Sequence, residues 1–199
     1  MKKIIQKQIE KFKSQKLFNK ILDIIFVLLI ISVIIPATRK EVMTYASKIR
    51  MYVTSVKTNE DNEAIKSPGS LQFVDVEGET QHLNDFSDKP VFINYWATWC
   101  PPCKAEMPVL KKLYEDYKDD VNFLFISREP LSETQAFMNK HEYDLPVFRI
   151  TSSPQGVLSY YVLPTSMFIS NEKLILSKEG AVNWHSDKIK SIFDEYIKR

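Results

Sequence analysis

Two cysteines, Cys100 and Cys103, are the only ones in this 199-residue chain, and they stand two residues apart. Val91, Phe92, Ile93 and Tyr95, with Asn94 among them, lead into residues 95–108, Y-W-A-T-W-C-P-P-C-K-A-E-M-P. An apolar run of that length suits a buried strand and is too short for a helix. Pro101 and Pro102 suit the first turn of a helix, where amides have no intrahelical partner to lose. Residues 104–117 then carry Met107, Leu110, Leu113, Tyr114 and Tyr117 at steps of three and four, which predicts an amphipathic helix. The order is strand, sharp turn, Cys-x-x-Cys at a helix N-terminus. There, free N–H groups and the helix dipole stabilise a thiolate at Cys100, the species that attacks a disulfide. Cys103, one turn further in, is placed to attack the resulting mixed disulfide. Cys100 is expected at the exposed helix start and Cys103 inside. Three other readings exist. A structural disulfide across so short a loop would remove little unfolded-state entropy. A metal site would need more ligands than His82, His141 and His185, none at ligand spacing to the cysteines. Two buried, inert thiols are the third.

The stretch W-A-T-W-C-P-P-C-K-A-E-M-P resembles the active site of the TlpA/ResA-like branch of the thioredoxin superfamily, which includes DsbE-type proteins. The likeness extends over roughly residues 67–199. It implies an α/β thioredoxin fold, a central mixed sheet flanked by helices, with an N-terminal β-hairpin and a βα insertion. It also implies roles for residues outside the cysteine pair. Pro164, in V-L-P-T-S, resembles the cis-proline of that fold, so Leu163, Pro164 and Thr165 are expected to position substrate. Trp99, Pro101 and Pro102 are expected to line the substrate groove, and Trp96 to belong to the core. Glu106 lies one turn past Cys103 and near the same face. Helix statistics alone make it an ordinary surface glutamate; the resemblance makes it a proton-handling group, expected to matter to thiol chemistry and not to folding. Asn94 stands six residues before Cys100, where cytosolic thioredoxins carry a buried aspartate. An amide cannot relay protons, which leaves that role to Glu106 or water. Gly180 and Trp184 are explained by packing.

Charge is unevenly spread. Residues 1–20 hold seven lysines against one glutamate, while residues 67–199 hold 14 basic against 19 acidic side chains. A mildly acidic domain argues against nucleic acid as the partner. The basic stretch precedes an apolar one at residues 17–37, whose core, I-I-F-V-L-L-I-I-S-V-I-I, spans residues 24–35. Its 21 residues would give about 31 Å of helix, enough to cross a bilayer. A cleaved signal peptide would want small residues before the cut, and Ile35 ahead of Ala37 fits poorly. The lysine bias places the N-terminus in the cytoplasm and the rest outside it. The expected organisation is a cytoplasmic basic segment at 1–20, a transmembrane anchor at 21–37, a helical stem and linker at 38–66, and the thioredoxin-like domain at 67–199. In the stem, Val42, Ile49 and Val56 recur every seven residues, a short coiled-coil seam or a stripe packing on the protein or a membrane surface. Residues 59–69, polar with a Pro-Gly pair, read as the linker.

Residues 71–83 alternate around Glu77-Gly78, which predicts a hairpin. Residues 121–127 read as a second buried strand and 132–141 as a helix capped by Ser132. A short strand at 146–150, a short helix at 154–161, a closing hairpin around Ser170-Asn171 and a last helix at 187–197 complete the chain. The implied activity is that of an extracytoplasmic thiol–disulfide oxidoreductase acting as a reductase, with no cofactor beyond the Cys100–Cys103 pair. Implied partners are disulfides in exported proteins, among them apocytochromes c, and a membrane thiol donor of the CcdA or DsbD kind. An oxidase or isomerase on the same fold stays open, because direction depends on reduction potential. So does a copper-delivery module, although it would want a longer cysteine spacing and a dedicated histidine.

Overall fold

The computed structural model describes residues 17–34, 36–53, 64–66 and 68–197. The lysine-rich residues 1–16, Val56 and most of the expected linker lie outside these. The chain divides into two compact units between Met43 and Thr44.

The first unit holds helix α1, Leu17–Ile34, and the start of α2, Pro36–Val53. Large side chains of α1 stand exposed on every side, Ile24, Phe26, Val27 and Leu28 among them. Among the described residues no helix is long and apolar enough to cross a membrane. The apolar helix expected over 17–37 stops at Ile34, and Pro36, which has no amide hydrogen, opens the next one. Its 18 residues reach about 27 Å, just under a hydrocarbon core of about 30 Å.

The second unit is built on a seven-stranded sheet, in order β2-β1-β5-β4-β3-β6-β7. The strands are β1 Gln72–Val74, β2 Thr80–His82, β3 Val91–Tyr95, β4 Asn122–Ser127, β5 Val147–Ile150, β6 Thr165–Ser170 and β7 Lys173–Glu179. β3, β4 and β5 run parallel; β6 and β7 continue antiparallel on one side and the β1–β2 hairpin on the other. All five residues of β3 are buried, as suits a central strand covered on both faces. Phe92 and Trp96 join the core under α3, Pro101–Tyr117, and α5, Asp187–Ile197; Ile93 and Tyr95 join Leu71, Phe73, Leu124 and Met167 on the opposite face. The parity that separates these sets also sends Asn94 to the α3 face.

Four local expectations are corrected. The linker is shorter than 59–69, because Ala64 bridges to Lys173 and Ile65 is buried, its amide donating to the Glu172 carbonyl at 2.8 Å. The helix expected over 154–161 is one 3-10 turn, Gly156–Leu158, because Gln155 is extended and Gly156 is left-handed (φ 57°). Helix α4, Leu131–Lys140, is capped by Pro130, which places Ser132 inside its first turn. The closing turn is Asn171-Glu172, both with positive φ, the primed geometry that matches strand twist.

Candidate active site

Cys100 is the N-cap of α3. Its backbone is extended (φ −86°, ψ 109°), Pro101 and Pro102 fill the first helical positions, and its carbonyl accepts the first helical bond from Lys104 N at 3.1 Å. Prolines there forfeit no hydrogen bond. Cys100 and Cys103 are joined in a disulfide, and the Cys103 amide donates to Cys100 Sγ at 3.2 Å. Charge that develops on that sulfur meets an N–H at the positive end of a helix. The exposure difference expected between the two cysteines is absent, at 2% and 1%. What separates them is the hydrogen bond at the helix end.

The approach to Cys100 is tied down by a neighbouring loop. Glu129, just past β4, accepts from Thr98 N and Thr98 Oγ1, both at 2.6 Å, and from Ser127 Oγ at 3.3 Å. Charge-assisted bonds of this kind contribute about 1.5–3 kcal/mol each when partly buried. Glu129→Ala is expected to lower unfolding free energy by roughly 2 kcal/mol in urea titration. A loss under about 0.5 kcal/mol would show that this carboxylate does not hold the loop.

A groove of about 480 Å³ opens beside the disulfide. Trp99, Pro101, Pro102 and Leu163 line it with Cys100, while Pro164 and Thr165 do not. Thr165 is buried, its hydroxyl turned back to the Val162 carbonyl at 2.7 Å. The Leu163–Pro164 peptide is cis, and the Pro164 carbonyl accepts from Gly180 N at 2.7 Å. Gly180 holds φ at 80°, a conformation that a side chain would strain, so packing alone does not explain it. Sequence reasoning missed Arg128, Glu129, Tyr160 and Tyr161, which complete the groove. The available signal was position: Arg128 and Glu129 follow β4, beside the carboxyl end of β3, where open α/β sheets bind ligands.

Glu106 is wholly buried on the inner face of α3. Its Oε1 accepts from Asn94 Nδ2 at 3.0 Å, Trp184 Nε1 at 3.1 Å and Ser166 Oγ at 3.5 Å; its Oε2 accepts from Val182 N at 3.1 Å. Asn94 also donates to Ser166 Oγ at 2.7 Å. Burial pushes the carboxyl up to about 8, against the pull of these hydrogen bonds. The expectation that Glu106 leaves folding untouched is therefore overturned: four groups from β3, β6 and the segment after β7 converge on it. Trp184, expected only to pack, is one of them. Asn94 is no relay but a donor. Among the described residues no cluster of three or more His, Cys, Asp or Glu could hold a metal ion.

Comparison with known proteins agrees with this geometry. Residues 64–185 match the model of the AhpC/TSA family. The chain is 29% identical to a thiol-disulfide oxidoreductase ResA of Bacillus cereus over 163 residues, covering 79% of this chain and 90% of that protein. It is 31% identical to a ResA of Bacillus thuringiensis subsp. konkukian over 145 residues, covering 70% and 80%. Among solved structures, the exposed lipoprotein thioredoxin of Streptococcus pneumoniae superposes with a TM-score of 0.50 at 26% identity, over 62% of this chain and 97% of that one. The thioredoxin domain of a thiol-disulfide oxidoreductase from Bacteroides vulgatus, 18% identical, shares the fold with a TM-score of 0.51 over 72% and 99%. Sheet order, a disulfide capping α3 and these relatives converge: the chain belongs to the AhpC/TSA family, as a ResA/TlpA-like, thioredoxin-fold thiol–disulfide oxidoreductase.

Proposed function

We propose that the chain is a membrane-anchored reductase of disulfides in exported proteins. The observation that carries the chemistry is the Cys103 amide aimed at Cys100 Sγ at 3.2 Å, beside the groove that Cys100 lines. In the reduced protein, Cys100 attacks one sulfur of a substrate disulfide as a thiolate. The other substrate sulfur leaves as a thiolate and takes a proton. Cys103 then loses its proton and attacks the Cys100 sulfur of the mixed disulfide, which frees the second substrate thiol. Two electrons and two protons pass from the dithiol to the substrate, and the Cys100–Cys103 disulfide remains. Glu106 is the protonatable group one turn past Cys103, and near neutral pH its raised pKa keeps most of it in the proton-bearing form. Trp99, Pro101, Pro102 and Leu163 hold the substrate segment against Cys100, and the cis Leu163–Pro164 peptide sets the path of the chain at Leu163.

The anchoring reading rests on the lysine-rich residues 1–20, on the apolar stretch 17–37 and on the exposed aliphatic faces of α1. A span slightly short of the hydrocarbon thickness is met by local thinning and by Lys20 and Asp23 reaching the interface. The lysine bias puts the domain on the extracytoplasmic side. The family resemblance of W-A-T-W-C-P-P-C-K-A-E-M-P suggests apocytochrome c cysteines as substrates and a CcdA- or DsbD-like membrane thiol protein as the electron donor.

Cys103→Ala, expressed in cells, removes the resolving thiol and so traps whatever Cys100 attacks. Exported cysteine-containing proteins are expected as adducts that run apart after reduction and vanish when Cys100 is also replaced. Capture of cytoplasmic proteins alone, or of nothing, would overturn the assignment.

A further inference from the structure

The groove beside the disulfide carries two charged side chains, Arg128 and Glu129, and they stand in opposite conditions. Both carboxylate oxygens of Glu129 are engaged by Thr98 and Ser127. Arg128 is exposed and leans on Tyr160: its Nε donates to the phenol oxygen at 2.8 Å, and its guanidinium carbon lies 5.5 Å from the ring centroid. Tyr160 is itself stacked on the buried ring of Tyr95, centroids 4.1 Å apart. The guanidinium is thus mounted on an aromatic pile rooted in the core, and among the described residues its two terminal amino groups have no hydrogen-bond or ion-pair partner. A guanidinium held by one nitrogen keeps a two-nitrogen fork free, in the geometry that accepts a carboxylate. Tyr161 and Trp99, 91% and 60% exposed, are large apolar side chains that line the same groove as Cys100.

We propose that Arg128 selects substrate segments in which an acidic residue flanks the target cysteine, with an apolar neighbour set against Trp99 and Tyr161. This rests on the thiol–disulfide reading above and adds the class of sequence that the groove takes. Charge complementarity favours the occupant: three acceptor positions of the Glu129 carboxylate are already taken by Thr98 and Ser127, whereas the exposed Arg128 fork is free to pair with an acidic segment and repels a basic one. Tyr160 is the positioning residue, because its hydroxyl and ring fix where the fork points.

The test uses the reduced full chain in detergent and three disulfide-linked peptide dimers, identical except for glutamate, glutamine or lysine next to the cysteine. Rate constants are measured at low salt and at about 1 M salt. The glutamate peptide is expected to react about fivefold faster than the lysine peptide at low salt, with the glutamine peptide between them. High salt should shrink the ratio towards one. Arg128→Gln should abolish it, and Arg128→Lys, which keeps the charge but loses the fork and its bond to Tyr160, should keep only a minor part of it, whereas damage to packing would harm both variants alike. Equal rates for all three peptides, or a ratio that survives Arg128→Gln, would overturn the proposal and leave the reductase reading intact. Failure to reduce any of the peptides would overturn both.

Discussion

Cys100→Ser removes disulfide reduction by the reduced protein, a fall on the order of a thousandfold or more, because a hydroxyl at the helix end is no substitute for a thiolate. Cys103→Ser gives a different defect. Its first step survives, so one equivalent of substrate thiol is released in a burst and turnover stops at the mixed disulfide. The asymmetry comes from the N-cap. Cys100 Sγ receives the Cys103 N–H, whereas Cys103 lies a turn further in. Iodoacetamide at neutral pH should therefore label Cys100 well ahead of Cys103 in the reduced wild type, although both are nearly fully buried in the disulfide form. Equal labelling rates, or a burst from Cys100→Ser, would reverse the assignment.

Much of this site was legible because its parts are close in sequence. The apolar run of β3, the prolines after Cys100 and the three-and-four spacing of α3 each predict their own element, and a single turn joins them. The β1–β2 hairpin and α5 were legible for the same reason, since local periodicity sets them. The environment of Glu106 was not. Its partners Asn94, Ser166, Val182 and Trp184 stand 12, 60, 76 and 78 residues away, and only the pairing of β3 with β6 and the path after β7 bring them together. Helix spacing said where Glu106 lies on α3, but not that the facing strands close over it. The groove was hidden in the same way. Arg128 follows β4 and Tyr160 precedes the cis-proline loop, so neither carries a local signal that ties it to Cys100. At residues 154–161 a short helix was expected, but the extended Gln155 and left-handed Gly156 confine it to one 3-10 turn.

Glu106 makes the stability of this protein depend on pH. Its carboxyl titrates at about 8 in the folded chain against 4.5 for the unperturbed group, because burial disfavours the charged form. Between those values the folded state holds a proton that the unfolded state has released. Stability must then fall as pH rises through this window. The contribution is complete below about 4.5 and lost above about 8, a change of roughly 3–5 kcal/mol. Glu106→Gln removes the titration but not the donors around it. Two carboxyl oxygens accept from Asn94, Trp184, Ser166 and Val182, whereas a glutamine has one carbonyl and must turn its own N–H₂ towards at least one of these donors. The variant should lose about 1–3 kcal/mol near pH 5. Its stability should then stay level where the wild type declines, so the two urea-denaturation curves converge or cross by about pH 9. The same proton should mark the thiol chemistry. Alkylation of reduced Cys100 should show a second inflection near 8 in the wild type and none in Glu106→Gln. A wild type whose stability holds level from pH 5 to 9 would mean that the carboxyl is ionised throughout. One whose stability falls, while the alkylation profile keeps a single inflection, would confine Glu106 to structure and leave the thiol protons to water.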